Sequence, residues 1–391
     1  MFHAINSKLE NFFTNQKIFY AENHLSAKKF RSRLKKLNNV LVVTGKASYE
    51  ISGSKKLIEE VLENSKIKIF NDFNVNPDID EIKYGFDIAK KTKPDAILAI
   101  GGGSVIDAAK ILHLMYSSNI DHNHIFEAKQ KDMYRSKKNI TLIAIPTTAG
   151  TGSESTHFAV LYKNGKKYSI ASPKMLPNIV YLDPVLCFSN TPYQNACSGF
   201  DALSQSIESY WSKKSNFISR YYSVNSIKII MDNFEMAVNC SDNYKNLSKM
   251  LIASNYAGKA INITKTTGPH AISYGITKDI GLPHGHAVAI TLGAFFKLHD
   301  QLLSTNKTEL KLYKKINRFI ERKTNTNSSS FLYGLMEKFD MEFDIKSLGI
   351  NQEQIKSLIE NVNLERLFNH PVKLNHQQLN AVFKNIPKKI D

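Results

Sequence analysis

The sequence predicts a chain of two parts, an α/β domain over residues 1–186 and an all-helical domain over residues 187–391. Apolar runs of strand length alternate with amphipathic helical segments as far as residue 182. This alternation predicts a mostly parallel sheet with helices on both faces. Beyond Asp183-Pro184 helical periodicity dominates and strand patterns are nearly absent. Two of the strands run directly into turns rich in Gly, Ser and Thr.

The strands of the first part are short apolar runs, mostly rich in β-branched residues. They are predicted at Lys17–Tyr20, Val40–Thr44, Lys66–Phe70, Ala96–Ile100, Ile140–Ile145 and Ile179–Leu182. Because Asn164-Gly165 is typical of a hairpin turn, we expect Phe158–Tyr162 to pair with Tyr168–Ser172. Helices are predicted at Ser26–Leu37, Ser54–Ser65, Asp78–Lys91 (with an Asp cap) and Ala108–Tyr116.

The second part shows helical spacing of apolar residues along most of its length. Helices are predicted at Gly199–Trp211, Ser215–Asn239, Tyr244–Ile261, Ala287–Leu298, Leu310–Arg322, Ser328–Lys338, Gln352–Val362 and His376–Asn385. His270 opens a further stretch of helical composition, whereas His284 is expected to lie in a Pro-His-Gly turn.

Composition is ordinary for a globular protein, with 42% hydrophobic and 22% charged residues among 391. No run of about eighteen apolar residues occurs, so no transmembrane helix is expected. The start of the chain lacks the basic and then apolar pattern of a signal peptide. The three cysteines have no CxxC spacing. We therefore expect a cytoplasmic protein without a membrane partner.

The net charge of +17 raises the question of a nucleic-acid partner. The basic residues are scattered along amphipathic segments, and no recognition motif accompanies them. We therefore expect no nucleic-acid partner and keep a basic nucleic-acid-binding protein as an alternative. The same positive field favours an anionic substrate or cofactor.

Four side chains of the second part can bind a divalent transition metal together. His270 and His284 are fourteen residues apart, and Asp201 and Gln205 are four apart, which places the latter two on one face of a helix. Imidazole and carboxylate ligands suit iron or zinc. A single histidine is more often a hydrogen-bonded core or surface residue, so spacing alone favours a metal site only modestly.

Two turns that follow strands can bind a phosphorylated ligand. Gly101–Ser104 stands between a strand and a helix, where free backbone amides and the helix dipole favour a phosphate. Thr147–Ser153 contains four hydroxyl side chains and two glycines, which can line a ribose or a ring. Each turn is also explained by local capping, so neither is specific alone.

Four motifs occur together, GGGSVID at 101–107, PTTAGTGSE at 146–154, GFDALSQSIESYWS at 199–212 and HAISYGITKDIGLPHG at 270–285. Their order and separations resemble the iron-containing (group III) alcohol dehydrogenase family over nearly the whole chain. The resemblance implies a dinucleotide-binding α/β domain with a Rossmann-like parallel sheet and an all-α metal-binding domain, the architecture shared with dehydroquinate synthases. It also implies reversible hydride transfer between an alcohol and an aldehyde or ketone.

The family's metal ligands fall on Asp201, His270 and His284, which the resemblance also implies are catalytic. The implied metal is iron, with zinc as the alternative. A fourth family ligand, a His, falls on Gln205, whose amide oxygen can bind the metal weakly or leave the position to water. Another family His falls on Tyr274, which replaces an imidazole sometimes credited with proton relay by a phenol.

The cofactor residues are carried over from the same motifs. The resemblance implies Gly102, Gly103, Ser104 and Asp107 at the pyrophosphate, Thr147, Thr148 and Thr151 at the nicotinamide, and Lys167 at the ribose. Gly45 ends a strand where NAD-preferring members often have an Asp. Glycine leaves room for a 2′-phosphate beside Lys46, so the sequence predicts NADPH, with NADH as the alternative.

The stretch before His270 carries the clue to the substrate. Lys259, Lys265 and Thr266 can bind a tetrahedral oxyanion by charge and hydroxyl donation, although such lysines are more often a solvated helix face. The run AGKAINITKTTGPHA resembles the phosphonoacetaldehyde reductase branch of the family. It implies reduction of phosphonoacetaldehyde to 2-hydroxyethylphosphonate, with Lys265 also taking part in catalysis.

Two other enzyme classes stay open at this point. One is a reductase of another small aldehyde (sulfoacetaldehyde, butanal or lactaldehyde), and the other is a metal-dependent lyase or cyclase related to dehydroquinate synthase. The expected partners are a small anionic aldehyde and a second copy of the chain in a homodimer.

Overall fold

The computed structural model describes residues 16–127 and 138–388. Its strands are β1 Lys17–Tyr20, β2 Asn39–Thr44, β3 Lys66–Phe70, β4 Ala96–Gly101, β5 Thr141–Pro146, β6 Phe158–Lys163, β7 Lys166–Ala171 and β8 Ile179–Leu182. Within the described ranges, six strands form one parallel sheet in the order β1-β8-β5-β4-β2-β3. The start of the chain, on which the expectation of no signal peptide depends, lies outside the described residues.

Helices connect these strands and cover the sheet. They are α1 His24–Leu34, α2 Lys46–Ile51, α3 Ser54–Val61, α4 Ile79–Thr92 and α5 Gly103–Ser118. In β2, Leu41 and Val43 belong to a core cluster with residues of α4 and α5. Val40 and Val42 belong to a second cluster with residues of α1 and α3. Since alternate side chains point to opposite faces, both faces are covered, which confirms the predicted α/β sheet.

The predicted hairpin is also present. β6 and β7 pair antiparallel as a two-stranded sheet outside the six-stranded one. Asn164 and Gly165 have φ of 51° and 70°. A type I′ turn requires positive φ at both central positions, and Asn-Gly is the pair that tolerates it best.

Two helical segments of the first part differ from the prediction. Helix α5 begins at Gly103 instead of Ala108, because the glycine turn is the first turn of the helix and glycine has low helix propensity. The predicted helix Ser54–Ser65 is preceded by the separate helix α2. At six residues, α2 is too short to show a clear apolar period.

The second part is helical. Its helices are α6 Pro192–Trp211, α7 Phe217–Asn239, α8 Tyr244–Thr264, α9 Gly268–Ile280, α10 His284–Leu302, α11 Lys311–Thr324, α12 Ser328–Lys338, α13 Gln352–Glu360, α14 Leu364–Phe368 and α15 His376–Asn385. The expected Pro-His-Gly turn is wrong, because Pro283 is the N-cap of α10 and His284 is its first residue. His284 is thereby held by a helix and not by a loop.

Residue contacts divide the chain into two compact units. Among the described residues, one comprises 16–127, 138–148 and 152–189, and the other comprises 149–151 and 190–388. Among the residues that the structure describes, no helix is long and apolar enough to cross a membrane.

Candidate functional site

Three predicted metal ligands meet in the second unit. Asp201 lies within α6, His270 in the first turn of α9 and His284 at the start of α10. One ligand atom from each residue lies within 4.8 Å of the other two. Asp201 and His270 are buried, and His284 is half-buried. Three helices therefore bring one carboxylate and two imidazoles to one place.

Glycine permits the close approach that places His284. A Cβ atom on Gly285 would lie only 1.9 Å from the Cys197 carbonyl oxygen and 3.2 Å from Asp201 Cβ. Because no side chain fits there, the first turn of α10 packs directly on the backbone of α6. The Pro-His-Gly sequence thus has a packing reason for its glycine.

His270 is oriented by a carboxylate that the sequence analysis missed. Its Nδ1 is hydrogen-bonded to Oε1 of Glu208, which is also on α6. Oε2 of Glu208 accepts hydrogen bonds from the backbone N–H and hydroxyl of Thr267, at 2.7 Å and 2.9 Å. His270 Nε2 lies 3.3 Å from Asp201 Oδ1. Glu208 is seven residues after Asp201 and so shares its helix face, a signal available in the sequence.

The carboxylates around His270 favour positive charge on or beside its imidazole. Burial opposes charge on the imidazole, but the field of Glu208 and the hydrogen bond with Asp201 raise the pKa of His270 to about 10. Burial alone would raise the pKa of Asp201, yet the hydrogen bond with His270 and the field of His284 lower it. Two buried carboxylates beside two imidazoles suit a divalent positive charge at this place.

The donor set fits a transition metal. Two ligands bound at about 2.1 Å in tetrahedral geometry lie roughly 3.4 Å apart, close to the His270–Asp201 separation of 3.3 Å. Metal-binding histidines usually donate their other N–H to a carboxylate, as His270 can to Glu208. Carboxylate oxygen with imidazole nitrogen suits iron and zinc alike.

Gln205 lies on α6, one turn after Asp201, and is hydrogen-bonded to that predicted ligand. Its Nε2 donates to Asp201 Oδ1 at 3.0 Å and to the Thr151 carbonyl oxygen at 3.2 Å. Its Oε1 is buried and has no hydrogen-bond partner among the described residues. A buried amide oxygen of this kind needs a donor, a water or a metal, so the position suits a weak ligand.

Tyr274 interacts both with the predicted metal ligand His284 and with two cationic side chains, Arg366 and Lys265. Its ring stacks on the His284 imidazole, with centroids 5.6 Å apart and planes at 13°. The Tyr274 side chain is hydrogen-bonded to Arg366 and interacts electrostatically with Lys265. Arg366, on the short helix α14, was not predicted as a site residue.

The predicted substrate residues have different surroundings. Lys265 is half-buried and lies near Arg366, and burial together with that guanidinium lowers the pKa of Lys265 to about 8. Thr266 is buried next to it. Lys259 is buried on α8, with its ammonium 5.4 Å and 5.5 Å from the ring centroids of Tyr222 and Tyr256. Cations near aromatic faces are stabilised by the ring quadrupole.

The glycine turn and the start of the threonine turn lie side by side in the first unit. Gly102 is the N-cap of α5, and no side chain of the described residues caps that helix end. Gly103 and Ser104 form the first turn of α5. The Thr147 N–H donates to the Gly101 carbonyl oxygen at 3.1 Å. The uncapped amides suit an anion such as a pyrophosphate.

Small residues keep this turn open. A Cβ atom on Gly102 would meet the Thr148 side chain at 3.6 Å. Ser104 Oγ accepts a hydrogen bond from the Asn76 N–H at 3.2 Å. The glycine therefore leaves space that a side chain would occupy, while Ser104 is tied to the loop before α4.

Asp107, another predicted cofactor residue, is hydrogen-bonded within the first unit. Both carboxylate oxygens of Asp107 accept hydrogen bonds, from the Ser153 hydroxyl at 2.5 Å and the Val160 N–H at 2.8 Å. The buried Lys110 ammonium donates to the hydroxyls of Ser153 and Thr156. Asp107 thus connects the end of the threonine turn with strand β6. Lys167, on β7, contributes a positive field at Asp107.

Gly45 directly follows β2 and is the N-cap of α2, which places it at the carboxyl end of a strand as expected. A Cβ atom there would meet the Ser48 hydroxyl at 2.5 Å. The neighbouring Lys46 forms an exposed ion pair with Asp72 at 2.8 Å. Such a pair contributes little stability, so Lys46 can exchange it for another anion.

Family models match both halves of the chain. "Iron-containing alcohol dehydrogenase" matches residues 15–184, and "Fe-containing alcohol dehydrogenase family, C-terminal" matches residues 195–386. The 4-hydroxybutyrate dehydrogenase of Clostridium kluyveri is 31% identical over 271 residues, which is 68% of this chain and 71% of that protein. The chain belongs to the iron-containing alcohol dehydrogenase family, whose members are oxidoreductases.

Other relatives agree with this family. The aldehyde-alcohol dehydrogenase of Streptococcus pneumoniae is 28% identical over 354 residues, covering 84% of this chain but only 40% of that protein. The chain thus spans less than half the length of that relative. The solved sulfoacetaldehyde reductase of Bifidobacterium kashiwanohense, in complex with NAD+, has a TM-score of 0.84 and 28% identity. The match covers 95% of this chain and 97% of that one.

Proposed function

We propose that this protein reduces a small anionic aldehyde to the corresponding alcohol, using a nicotinamide dinucleotide and a divalent metal. The proposed substrate is phosphonoacetaldehyde and the product 2-hydroxyethylphosphonate. The observation that supports this best is the connection between two groups of residues in the second unit. Tyr274 stacks on His284 of the buried cluster and interacts with the cation Lys265.

Asp201, His270 and His284 would hold the metal, with Gln205 Oε1 as a weak fourth ligand. When bound, such a metal supplies a Lewis acid that polarises the aldehyde carbonyl. Glu208 holds the proton of His270 on Nδ1, which leaves Nε2 free to donate its lone pair. The Gln205 amide donates a hydrogen bond to Asp201 Oδ1, which orients this carboxylate.

The first unit would bind the dinucleotide. The α5 amides after Gly102 suit the pyrophosphate, and the neighbouring threonines suit the ribose and the nicotinamide, the ring that supplies the hydride. The family and the NAD+ complex of the sulfoacetaldehyde reductase support a nicotinamide dinucleotide. We propose NADPH on the basis of Gly45 and the exchangeable ion pair of Lys46.

The substrate's anionic group would bind near Lys265. Fixing an anion at a distance from the carbonyl orients the reacting carbon, so that binding energy supports the chemical step. Sulfoacetaldehyde is the second candidate, because a reductase of that aldehyde has the same fold at 28% identity. A sulfonate and a phosphonate are both tetrahedral oxyanions, so one pocket can bind either.

The test follows the oxidation of NADPH and of NADH by metal-reconstituted protein. Phosphonoacetaldehyde, sulfoacetaldehyde and propanal are offered in parallel, with and without prior treatment with a chelator. A hydrogen-bonded charge pair contributes about 1.5–3 kcal/mol, so kcat/KM for the preferred anionic aldehyde should exceed that for propanal by roughly 10- to 100-fold. Chelation should remove all activity, and added iron or zinc should restore it.

Three outcomes separate the alternatives. A preference for sulfoacetaldehyde over phosphonoacetaldehyde selects the second candidate. Equal rates on propanal and the anionic aldehydes indicate a general alcohol dehydrogenase and contradict the anionic-substrate proposal. Full activity after chelation, with metal analysis showing that the metal is gone, contradicts the metal-dependent part.

A further inference from the structure

The guanidinium of Arg366 is buried beside groups that contact both predicted histidine ligands. Arg366 lies on α14 and is only 6% exposed, although arginine is rarely buried without a partner. Burial opposes the guanidinium charge, but the phenol of Tyr274 and two carboxylates raise the pKa of Arg366. These carboxylates belong to the exposed Glu365 and the buried Glu208. Arg366 is therefore a buried cation with partners of its own.

Tyr274 connects Arg366 with the ligand His284. The Tyr274 side chain is hydrogen-bonded to Arg366. Its ring stacks on the His284 imidazole, with centroids 5.6 Å apart and planes at 13°. The hydroxyl and the ring belong to one rigid side chain, so a hydrogen bond at the hydroxyl restricts the ring plane. Arg366 thereby restricts the surface on which the imidazole lies.

Glu208 connects Arg366 with the other histidine ligand, His270. Oε1 of Glu208 is hydrogen-bonded to His270 Nδ1, and its Oε2 accepts two hydrogen bonds from Thr267. When His270 binds a metal through Nε2, its imidazole is neutral, so these hydrogen bonds leave the carboxylate charge uncompensated. A buried carboxylate needs a positive charge nearby, and the field of Arg366 acts on Glu208.

The segment 363–370, which contains Arg366, is attached at both ends to the chain around the start of α9. At its beginning, the Asn363 N–H donates to the Ala271 carbonyl oxygen at 3.4 Å. At its end, two side chains are bonded to the backbone that leads into α9: Asn369 Nδ2 donates to the carbonyl oxygens of Thr264 and Thr266 at 2.6 Å and 2.9 Å, and His370 Nδ1 accepts from the Gly268 N–H at 3.3 Å. Arg366 is thus fixed relative to the helix that carries His270.

We propose that Arg366 is a positioning residue for the metal centre, which orients His284 through Tyr274 and His270 through Glu208. A guanidinium suits this role, because its planar N–H donors point in fixed directions and it does not lose its charge. Coordinate bonds are short and directional, so a small rotation of an imidazole weakens them. This inference rests on the proposed function, since it requires that the two histidines bind a metal.

The charge of Arg366 and its positioning role have opposite effects on metal affinity. A guanidinium near the centre repels a divalent cation, so the loss of its charge alone should tighten metal binding. The loss of orientation should weaken binding, as it does for other groups that orient metal ligands. The sign of the change in affinity therefore separates the two effects.

The test measures affinity for cobalt(II), which takes the same nitrogen and oxygen ligands as iron and zinc, by competition with a chelator at fixed pH. Arg366→Gln should weaken binding about 3- to 30-fold, somewhat less than the loss of a group bonded directly to a ligand. Arg366→Lys should recover part of the affinity, because it keeps the charge and a donor. The control is Arg220→Gln in α7, which loses a hydrogen bond to the Ser215 carbonyl oxygen and should bind cobalt as wild type does.

A second variant tests the route through Tyr274. Tyr274→Phe keeps the ring and loses the hydroxyl, so it should weaken cobalt binding in the same direction. Because the two residues act along one route, the double variant with Arg366→Gln should weaken binding by less than the product of the two single effects. The visible absorption of bound cobalt depends on ligand geometry. It should change in both single variants and stay the same in Arg220→Gln.

The outcomes separate this inference from the proposed function. Equal or tighter cobalt binding in Arg366→Gln, with an unchanged cobalt spectrum, would overturn the positioning role and leave the metal centre intact. Wild type that binds no cobalt would contradict the metal-dependent function and the role of Arg366 with it. Trp211 fluorescence shows which variants are folded. If Arg366→Gln is not, then wild-type affinity in both Arg366→Lys and Tyr274→Phe overturns the role, and weaker binding in Tyr274→Phe supports it.

Discussion

Lys265 follows α8 with a φ of 64° and a ψ of −177°, a backbone conformation that is strained for any residue except glycine. We therefore expect the stability of the protein to depend on which residue stands at this position. A non-glycine residue in this region costs about 1–3 kcal/mol, whereas glycine adopts it freely. Glycine also makes the unfolded chain more flexible, which costs about 0.4–1 kcal/mol relative to alanine. Lys265→Gly should therefore be more stable than Lys265→Ala by roughly 0.5–2 kcal/mol. Both variants lack the ammonium, so alanine is the matched control.

Fluorescence of the single tryptophan provides the assay. Trp211 is buried in the second unit, and its Nε1 donates to the Thr267 hydroxyl at 3.0 Å, two residues beyond Lys265. Urea unfolding should give a higher midpoint for Lys265→Gly than for Lys265→Ala at an unchanged slope. Both should lose the preference for anionic aldehydes. A glycine variant that is equally or less stable than the alanine variant would refute the assignment of strain.

Three further predictions concern pH, metal affinity and packing. Because burial lowers the pKa of Lys265 to about 8, its ammonium is present below that pH and lost above it. The ratio of kcat/KM for sulfoacetaldehyde to that for propanal should therefore fall as pH rises through about 8, and a flat ratio would contradict this. Arg366, Glu365, Lys214 and Tyr274 are among the charged and titratable groups that face Lys265. Glu208→Gln loses the carboxylate that orients His270, so it should weaken metal binding about 10- to 100-fold. Competition with a chelator measures this affinity, and an unchanged affinity would argue against the orienting role of Glu208. Gly285→Ala places a Cβ 1.9 Å from the Cys197 carbonyl oxygen and should destabilise the fold by about 1–3 kcal/mol, which an unaltered thermal midpoint would disprove.

The parts of the fold that the sequence predicts well are those where local pattern and tertiary burial agree. β3 and α12 begin and end as predicted, at Lys66–Phe70 and Ser328–Lys338. Strand β2 is apolar throughout because both faces are covered. Glycine-rich and proline-containing helix starts were missed, as at Gly103 and His284, because their propensity is low while packing and capping still favour the helix.

The candidate site also contains some residues that the sequence could identify and others that it could not. Asp201, His270 and His284 could be named in advance because they fall on the metal-ligand positions of the family that the four motifs resemble, and their side chains are ones that bind iron or zinc. Glu208 lay within a recognised motif, and helical spacing from Asp201 would have indicated it. Arg366 lies on a five-residue helix without a motif, and only tertiary packing brings it to Lys265. Its interaction with Lys265 could not be inferred from local sequence.

Metal content shows whether Asp201, His270 and His284 form a metal centre. Wild type, His284→Ala and the control His376→Ala are loaded with iron or zinc, dialysed and analysed by mass spectrometry; His376 is exposed at the start of α15. We expect one tightly held ion per chain in wild type and in His376→Ala, and almost none in His284→Ala despite a native far-UV spectrum. Aldehyde reduction should be lost with the ion. Equal metal content and activity in all three proteins would contradict the proposed metal centre of Asp201, His270 and His284.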